Sequence, residues 1–203
     1  MALRPPRKTL SRRLLEHKLK GVLSSLPLKP CPEADLLCVD LGGVGRYRAW
    51  LPNSRLLTID LDSQHRPQIV SRAEAIPLSS ASVDLVLSTE MLEHCPEPAR
   101  VAGEVHRVLR PGGILVLTTP FVYVVHGWPQ DYYRFTASGL ENLFRGFSKV
   151  ETLPFGNRLM VAYDLVVGFT PILSSWLNPG LALLFRNATS RTCPAGHLLI
   201  ATK

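Results

Sequence analysis

A glycine-rich turn directly after a short apolar segment restricts the fold of this chain more than any other feature. The run 35–41 is apolar and compatible with a β-strand, and glycines follow it at positions 42, 43 and 45. Glycine accepts positive φ and has no side chain, so a ligand can approach the backbone at the carboxyl end of the strand. The turn therefore predicts an α/β fold with a ligand site after its first strand.

Short apolar runs recur along the chain, and helix-compatible segments separate several of them. The clearest helix spans 92–109 and should end at 110–113, which reads RPGG, because proline and glycine do not continue a helix. Thr136 or Ser138 can cap a second helix, since Ser138 and Glu141 have capping-box spacing. Alternating strands and helices predict an α/β, Rossmann-like, mostly parallel sheet with helices on both faces and an antiparallel last strand. The predicted strands are 35–41, 56–61, 83–88, 113–118, 147–153 and 197–202.

Two aspartates make the glycine turn more specific. Asp60 ends the second strand twenty residues after Asp40, where a carboxylate can accept hydrogen bonds from ribose hydroxyls. A nicotinamide-dependent oxidoreductase is one alternative, but Arg46 follows the three glycines of this loop, and the third glycine of the G-x-G-x-x-G fingerprint is missing. Asp40 would also repel a pyrophosphate, and it suits the amino group of a methionine moiety better. The other alternative is a glycine-rich turn in an unrelated α/β domain.

Five motifs in order carry a family resemblance that covers about 37–147 and the final strand. Together they resemble the class I S-adenosylmethionine-dependent methyltransferases, specifically the type 11 group. The chain departs from that family twice: its first loop is one residue shorter, with Val44 near the place of a glycine, and Ser71-Arg72 stands where an acid is common. The motifs are DLGGVG (40–45), TIDLD (58–62), AEAIP (73–77), VDLVLSTEMLEH (83–94) and EVHRVLRPGGILVLTTP (104–120).

The resemblance implies S-adenosylmethionine as the cofactor and gives roles to residues of these motifs. The first loop would hold the methionine and ribose end, Asp60 the ribose hydroxyls, and Ala73 with Glu74 would border the adenine. Ser88 and Glu90 would face the methyl group. The expected cofactor residues are Asp40, Gly42, Gly43, Gly45, Asp60, Leu61, Ala73, Glu74, Ser88 and Glu90.

The segment 120–136, PFVYVVHGWPQDYYRFT, is dense in polar and aromatic side chains. It resembles an H-x-x-P-x-D-x-Y-R-x-T pattern found in part of the family, and it is expected to lie over the methyl group. His126 is the first candidate for a catalytic base and His94 the second, since a base can remove the proton of a hydroxyl or amine acceptor. Alternatively, the acid and the arginine form a structural ion pair. The expected substrate residues are Trp128, Asp131, Tyr133 and Arg134, the last as a clamp for an anionic group.

Basic residues are concentrated at the N-terminus. Residues 1–20 hold seven lysines and arginines against Glu16, and little of the net charge of +7 remains beyond them, so nucleic acid is not favoured as a partner. Leucines recur there at helical spacing, which predicts a basic amphipathic helix and linker over 1–32, followed by a methyltransferase domain over 33–203. The helix packs on the domain, contacts an anionic membrane, or belongs to a transit peptide. The four cysteines form no CxxC pair, so neither a metal site nor a disulfide framework is expected.

An apolar insertion is expected at about 157–192. Its uncharged part, 165–185, could span a bilayer by length, but prolines and glycines interrupt it and the chain must return for the last strand. We therefore expect a lid or a membrane-dipping segment, and a cytoplasmic or peripherally membrane-bound protein. The leading function is methyl transfer from S-adenosylmethionine to a small or lipophilic, perhaps lipid-linked, acceptor. A non-catalytic scaffold of the same fold is the main alternative.

Overall fold

The computed structural model describes residues 9–28, 36–51, 54–127, 130–166, 177, 180–181, 183–185, 187 and 189–203. Its centre is a seven-stranded sheet in the order β3-β2-β1-β4-β5-β7-β6. Every neighbouring pair is parallel except those that include β7, which is antiparallel to β5 and β6. The strands are β1 (Leu36–Leu41), β2 (Ser54–Asp60), β3 (Ile69–Val70), β4 (Val83–Thr89), β5 (Leu109–Pro120), β6 (Lys149–Phe155) and β7 (Gly196–Thr202), and the helices are α1 (Leu10–Ser25), α2 (Pro98–Val108), α3 (Ala137–Leu143) and α4 (Arg158–Val166).

Helices cover both faces of the sheet, as the sequence predicts. On one face, Val101 and Val105 of α2 and Leu140 of α3 pack against the inner strands. On the other, Leu19 and Leu23 of α1 pack against residues of β1, β4, β5 and β7. The central strands are apolar along their length because parallel strands are buried on both sides. The α/β, Rossmann-like, mostly parallel architecture is therefore confirmed, including the antiparallel last strand.

The predicted N-terminal helix is present and its apolar side is buried against the domain. Thr9 caps α1 by accepting a hydrogen bond from Arg12 N at 3.2 Å. The buried Asp164 of α4 accepts from the backbone N–H groups of Leu10 and Ser11 at 3.0 and 2.9 Å, and from the Ser11 hydroxyl. A carboxylate is favourable at a helix N-terminus, where backbone donors are unpaired. These contacts make α1 part of the same packed unit as the sheet.

The single helix predicted over 92–109 is wrong. The structure has a 3₁₀ turn at Leu92–His94, a break, and then α2. Pro96 and Pro98 explain the break, because the residue before a proline avoids the helical region and proline cannot donate a backbone hydrogen bond. The break places His94 on a turn at the sheet edge and not inside a helix.

Other differences from the predicted elements are smaller. Thr136, and not Ser138, caps α3, since its hydroxyl accepts from Gly139 N at 3.0 Å. β6 begins two residues later than predicted, and the short β3 was not predicted. Between β1 and β2, the described residues 42–51 form one 3₁₀ turn, Arg48–Trp50, and α1 packs on that face of the sheet. Among the described residues, no helix is both long and apolar enough to cross a membrane.

Candidate functional site

A cavity of about 440 Å³ opens at the carboxyl ends of β1, β2 and β4. This is where ligands bind in open α/β sheets, and the volume is in the range of small-molecule sites. Of the residues expected to bind the cofactor, six line it: Gly42, Asp60, Leu61, Ala73, Glu74 and Glu90. The candidate base His94 lines it as well.

The first loop is built so tightly that two of its glycines admit no side chain. A Cβ at Gly43 would lie 2.1 Å from Asp40 Oδ1, and a Cβ at Gly42 would lie 2.1 Å from Met91 Cγ. Gly42 and Gly45 also have φ of 72° and 74°, which favours glycine. Although the loop is one residue shorter than is usual in the family, it still leaves no room for a side chain at Gly42 or Gly43.

Asp40 lies at the base of this loop, buried beneath the glycines. Its Oδ2 accepts a hydrogen bond from Gly45 N at 2.8 Å. Its Oδ1 is buried and has no hydrogen-bond partner within the described part of the chain. Burial raises the pKa of Asp40, and the Gly45 hydrogen bond opposes that rise. Gly43, Gly45 and Asp40 do not line the cavity themselves, so they shape it from behind.

Asp60 lies at the end of β2 with both oxygens facing the loop that follows. Oδ1 accepts from Asp62 N at 2.8 Å, and Oδ2 lies 3.0 Å from Nδ1 of His65. The His65 side chain is half exposed, and it also lines the cavity. A ribose hydroxyl could replace this imidazole at Oδ2 while the backbone bond keeps the carboxylate oriented.

The wall expected to border adenine contains Ala73 and a buried carboxylate. Glu74 is 7% exposed, and its Oε1 lies 3.4 Å from Nη2 of Arg72. Arg72, which stands near the position of the family's missing acid, therefore pairs with the acid two residues later. α2 fixes this wall from behind, because Glu104 accepts from Ile76 N at 2.8 Å and Arg107 donates to the carbonyls of Ile76 and Leu78.

Glu90 is the most strained residue of the cavity wall. Its φ is +54°, a value that non-glycine residues rarely adopt. Its Oε1 is buried without a hydrogen-bond partner among the described residues, and burial raises its pKa. Ser88, by contrast, lies inside β4 at 1% exposure and does not line the cavity. Of the two residues expected at the methyl group, only Glu90 reaches the cavity.

Glu93 and His94 occupy the 3₁₀ turn after β4. Glu93 is fully buried, its Oε2 accepts from the Thr119 hydroxyl at 3.2 Å, and burial followed by repulsion from Glu90 raises its pKa to about 8. His94 Nδ1 lies 2.5 Å from the carbonyl oxygen of Gln130. A carbonyl only accepts, so Nδ1 carries the proton and Nε2 keeps its lone pair.

The segment after β5, residues 121–136, is called the acceptor-side segment. Hydrogen bonds hold it against the turn that carries Glu93 and His94. Tyr132 N donates to the Glu93 carbonyl at 2.8 Å, and the Tyr133 hydroxyl donates to the Pro96 carbonyl at 3.1 Å. The segment is therefore held over one end of the cavity. Trp128, one of the expected substrate residues, lies outside the described residues.

Asp131 and Arg134 form the ion pair that the sequence left as an alternative to a substrate clamp. The guanidinium donates to both carboxylate oxygens, to Oδ2 at 2.6 Å and to Oδ1, and also to the Val124 carbonyl at 3.1 Å. These hydrogen bonds hold the pKa of Asp131 well below its usual range. The roles of Asp131, Tyr133 and Arg134 in binding a substrate stay predictions, since their visible bonds are internal.

His126 stands behind His94 as seen from the cavity. The two rings meet edge to face with centroids 5.0 Å apart, and His126 Nδ1 lies 3.2 Å from Asp131 Oδ2. His126 is not a lining residue, whereas His94 is. The structure therefore brings both candidate bases together but places the second one nearer the cavity.

Sequence reasoning missed several residues around the site. Met91 and His65 line the cavity, and Arg12 of α1 donates to the Tyr47 hydroxyl at 2.7 Å. Arg12 is also near enough to Glu90 to favour its charged form. His65 could have been expected near Asp60, because it follows that residue by five positions. Nothing local in the sequence indicates that Arg12 lies near Glu90, which follows β4.

Comparison with known proteins agrees with this geometry. Residues 38–117 match the family described as a methyltransferase domain, Methyltransf_11. Malonyl-[acyl-carrier protein] O-methyltransferase of Enterobacter lignolyticus is 28% identical over 160 residues, which is 73% of this chain and 57% of that protein. The enzyme of the same name from Methylococcus capsulatus is 34% identical over 128 residues, 54% of this chain and 44% of that protein. The chain thus spans about half the length of these relatives.

The fold has close counterparts among solved structures. An S-adenosylmethionine-dependent methyltransferase from Archaeoglobus fulgidus superposes with a TM-score of 0.62, covering 94% of each chain at 16% identity. At 16% identity this superposition supports the fold alone. The evidence on the site comes from the family match over 38–117 and from the glycine loop. Residues 38–117 thus match the type 11 methyltransferase domain family, and the fold is the one found in S-adenosylmethionine-dependent methyltransferases.

Proposed function

We propose that this protein transfers a methyl group from S-adenosylmethionine to an oxygen of a small or lipophilic acceptor. The observation that carries the proposal is the cavity itself. Asp60 lines it after β2, and Glu90 and His94 line it after β4, next to the turn to which Tyr132 and Tyr133 are bonded. The bound cofactor supplies an electrophilic methyl group on a cationic sulfonium, and the protein has to align the acceptor and exclude water.

The chain's own residues fit that cofactor. Asp40 Oδ1 is a buried acceptor without a partner among the described residues, and it lies beneath a loop that a single methyl group would fill. An α-amino group is the donor that would satisfy such a carboxylate. The carboxylate of Glu90, also buried at the cavity, would favour the nearby positive charge of the sulfonium.

His94 supports transfer to a protonated acceptor. Its Nδ1–H is held by the Gln130 carbonyl, so that Nε2 is the basic atom, as in a base oriented by a third group. The acceptor proton would pass to Nε2 as the oxygen attacks the methyl carbon. His126, the first candidate from the sequence, would act behind His94 through ring contact.

The proposed acceptor class is supported by relatives and by the surface. The two relatives above are named as O-methyltransferases of a malonyl group on an acyl carrier protein, and an oxygen acceptor on a carrier-linked chain is compatible with this cavity. Apolar side chains are exposed on and after α4: Leu159, Leu165, Val166, Leu183 and Leu184. They support a peripheral membrane contact, whereas the apolar side of α1 is already buried.

The first test is calorimetric titration with S-adenosylmethionine and with S-adenosylhomocysteine. Asp60→Ala should weaken binding at least about tenfold, since it removes two or more hydrogen bonds to ribose. Glu151→Ala, at an exposed position of β6, is the matched control and should bind as wild type does. Equal affinities for wild type and Asp60→Ala would show that the cavity is not the cofactor site.

The second test measures turnover with methyl-labelled cofactor. The acceptor panel should contain lipophilic hydroxy and carboxylic acids and a malonylated carrier protein, each with and without anionic liposomes. Product formed by wild type and lost in His94→Ala supports the proposal. Tight cofactor binding with no product from any acceptor would favour the scaffold alternative, and turnover independent of liposomes would remove the membrane contact.

A further inference from the structure

Two histidines and a carboxylate converge beside the cofactor cavity. Glu93 and His94 come from the turn after β4, and His126 comes from the segment after β5. One ligand atom of each lies within 4.8 Å of the others. Imidazole nitrogens and a carboxylate oxygen form a common donor set for Zn²⁺, Mn²⁺, Fe²⁺ and Co²⁺. No metal site was expected from the sequence, because only the cysteines were considered as metal ligands.

Outer contacts orient both histidines in the way metal ligands are oriented. His94 donates from Nδ1 to the Gln130 carbonyl at 2.5 Å. His126 Nδ1 donates to the Val124 carbonyl at 3.4 Å and lies 3.2 Å from Asp131 Oδ2. Each ring is thereby held in the tautomer with Nε2 unprotonated, and acceptors on the far nitrogen increase the basicity of the ligating one.

The carboxylate provides an independent observation. Glu93 is 0% exposed, Oε2 is occupied by the Thr119 hydroxyl, and Oε1 has no hydrogen-bond partner among the described residues. His94 Nε2 lies 3.8 Å from this Oε1. With the proton of His94 on Nδ1, two lone pairs face each other there, and a buried acceptor pair of this kind needs a cation or an additional proton between them.

We propose that Glu93, His94 and His126 bind one divalent transition-metal ion at the acceptor end of the cavity. Donor atoms around a tetrahedral ion lie about 3.3 Å apart, so the three side chains close by about 1 Å on binding. Glu90, whose Oε1 is also buried without a partner in the described chain, is available as a fourth ligand. The site lies beside the cavity, and of its three residues His94 is the one that lines it.

The ion deepens the proposed function, on which its catalytic role rests. A bound cation would hold the acceptor oxygen and lower the pKa of its hydroxyl, so that the proton passes to solvent water before the methyl carbon is attacked. His94 would then be a ligand and not the base. Binding of the ion, however, does not require that the protein be a methyltransferase.

The experiment is titration of the full chain, free of any affinity tag and stripped with a chelator, with Co²⁺ followed by visible absorption and with Zn²⁺ followed by calorimetry. We expect one ion per chain with micromolar or tighter affinity. His126→Ala should weaken it at least about 100-fold. His17→Ala, an exposed histidine on α1, is the control and should leave it unchanged.

A second variant protects the result against misfolding. Glu93→Gln keeps the size of a fully buried side chain and should also weaken the ion at least about tenfold, while both variants keep wild-type circular dichroism. The proposal is overturned if no stoichiometric binding is found, or if binding survives both His126→Ala and Glu93→Gln. In that case a proton, and not a metal ion, lies between Glu93 and His94. Ion binding without cofactor binding would instead contradict the proposed function alone.

Discussion

The two ends of the cavity are held together by different kinds of interaction. On the cofactor side, backbone bonds between neighbouring strands fix the loops: Gly42 N donates to the Ile59 carbonyl at 2.7 Å, and Ser71 N donates to the Asp60 carbonyl at 3.0 Å. On the acceptor side, the described residues 121–127 and 130–136 contain no helix or strand. The backbone bond from Tyr132 N to the Glu93 carbonyl helps to fix this segment, together with bonds from side chains to distant carbonyls, such as His94 to Gln130 and Tyr133 to Pro96.

An arginine–carboxylate pair three residues apart stabilises each side, and the two pairs differ in burial. Glu104 and Arg107 on α2 support the cofactor side with side chains that are 21% and 36% exposed. Asp131 and Arg134 support the acceptor side with side chains that are 2% and 24% exposed. The cost of removing one partner rises with the burial of the other group. The acceptor side should therefore depend on its pair more strongly than the cofactor side does.

The largest effect should come from filling the glycine loop. In Gly43→Ala the new Cβ would lie 2.1 Å from Asp40 Oδ1, so the loop or the carboxylate must move. We expect cofactor affinity to fall by more than about 100-fold, equivalent to about 2.7 kcal/mol. Calorimetric titration checks this. Gly103→Ala on α2, where a Cβ meets nothing within 4 Å, should bind normally, and normal binding by Gly43→Ala would mean that the loop is not in contact with the ligand.

The acceptor side is tested by Asp131→Asn. The variant leaves the Arg134 guanidinium partly buried without its carboxylate and weakens the bond to His126 N, which Oδ2 accepts at 3.0 Å. We expect the free energy of unfolding to fall by about 2 kcal/mol, measured by urea denaturation at pH 7. Cofactor affinity should change little. A loss of cofactor binding as large as that of Gly43→Ala would show that the two sides are not separable.

The same division explains what the sequence could and could not predict. The central strands and the glycine turn are local signals, since buried parallel strands need apolar runs and Gly43 has no sterically possible substitute. Asp60 was found from its spacing alone. The predicted cofactor side agrees with the structure in fold, and six of the ten residues expected to bind the cofactor line the cavity.

The acceptor side could be identified only as a segment. Its geometry depends on contacts between residues more than thirty positions apart, such as His94 with Gln130 and His94 with His126. Hydrogen bonds between side chains and distant carbonyls leave no periodic trace in a sequence. Pro96 and Pro98 were a readable signal for the break after His94, but the order of the two histidines depends on which of them lines the cavity.

The cofactor-side pair should show a smaller and pH-dependent effect. A hydrogen bond from Arg107 lowers the pKa of Glu104 below its usual value. A carboxyl whose folded pKa is lowered contributes its stability above the unfolded-state pKa, about 4.3, and loses it as the pH falls through the folded pKa. We expect Glu104→Gln to cost about 1 kcal/mol at pH 7.

That difference between wild type and Glu104→Gln should narrow as the pH falls below about 4, in urea denaturation series from pH 7 to pH 3. Glu97→Gln is the matched control, since Glu97, the N-cap residue of α2, and Arg100 are also three residues apart but are 54% and 63% exposed. Its stability should match wild type at every pH. A constant difference for Glu104→Gln would mean that the charge of the carboxyl contributes nothing.

The smallest effect should follow Arg72→Ala on the adenine wall. The Arg72 side chain is 52% exposed and its nitrogen lies 3.4 Å from Glu74 Oε1, so the pair is largely screened by solvent and its removal should cost less than about 0.5 kcal/mol. Cofactor affinity, measured by calorimetric titration, should change by less than about threefold. A larger loss would mean that Arg72 contacts the cofactor directly and that this chain recognises adenine with a cation where its family uses an acid.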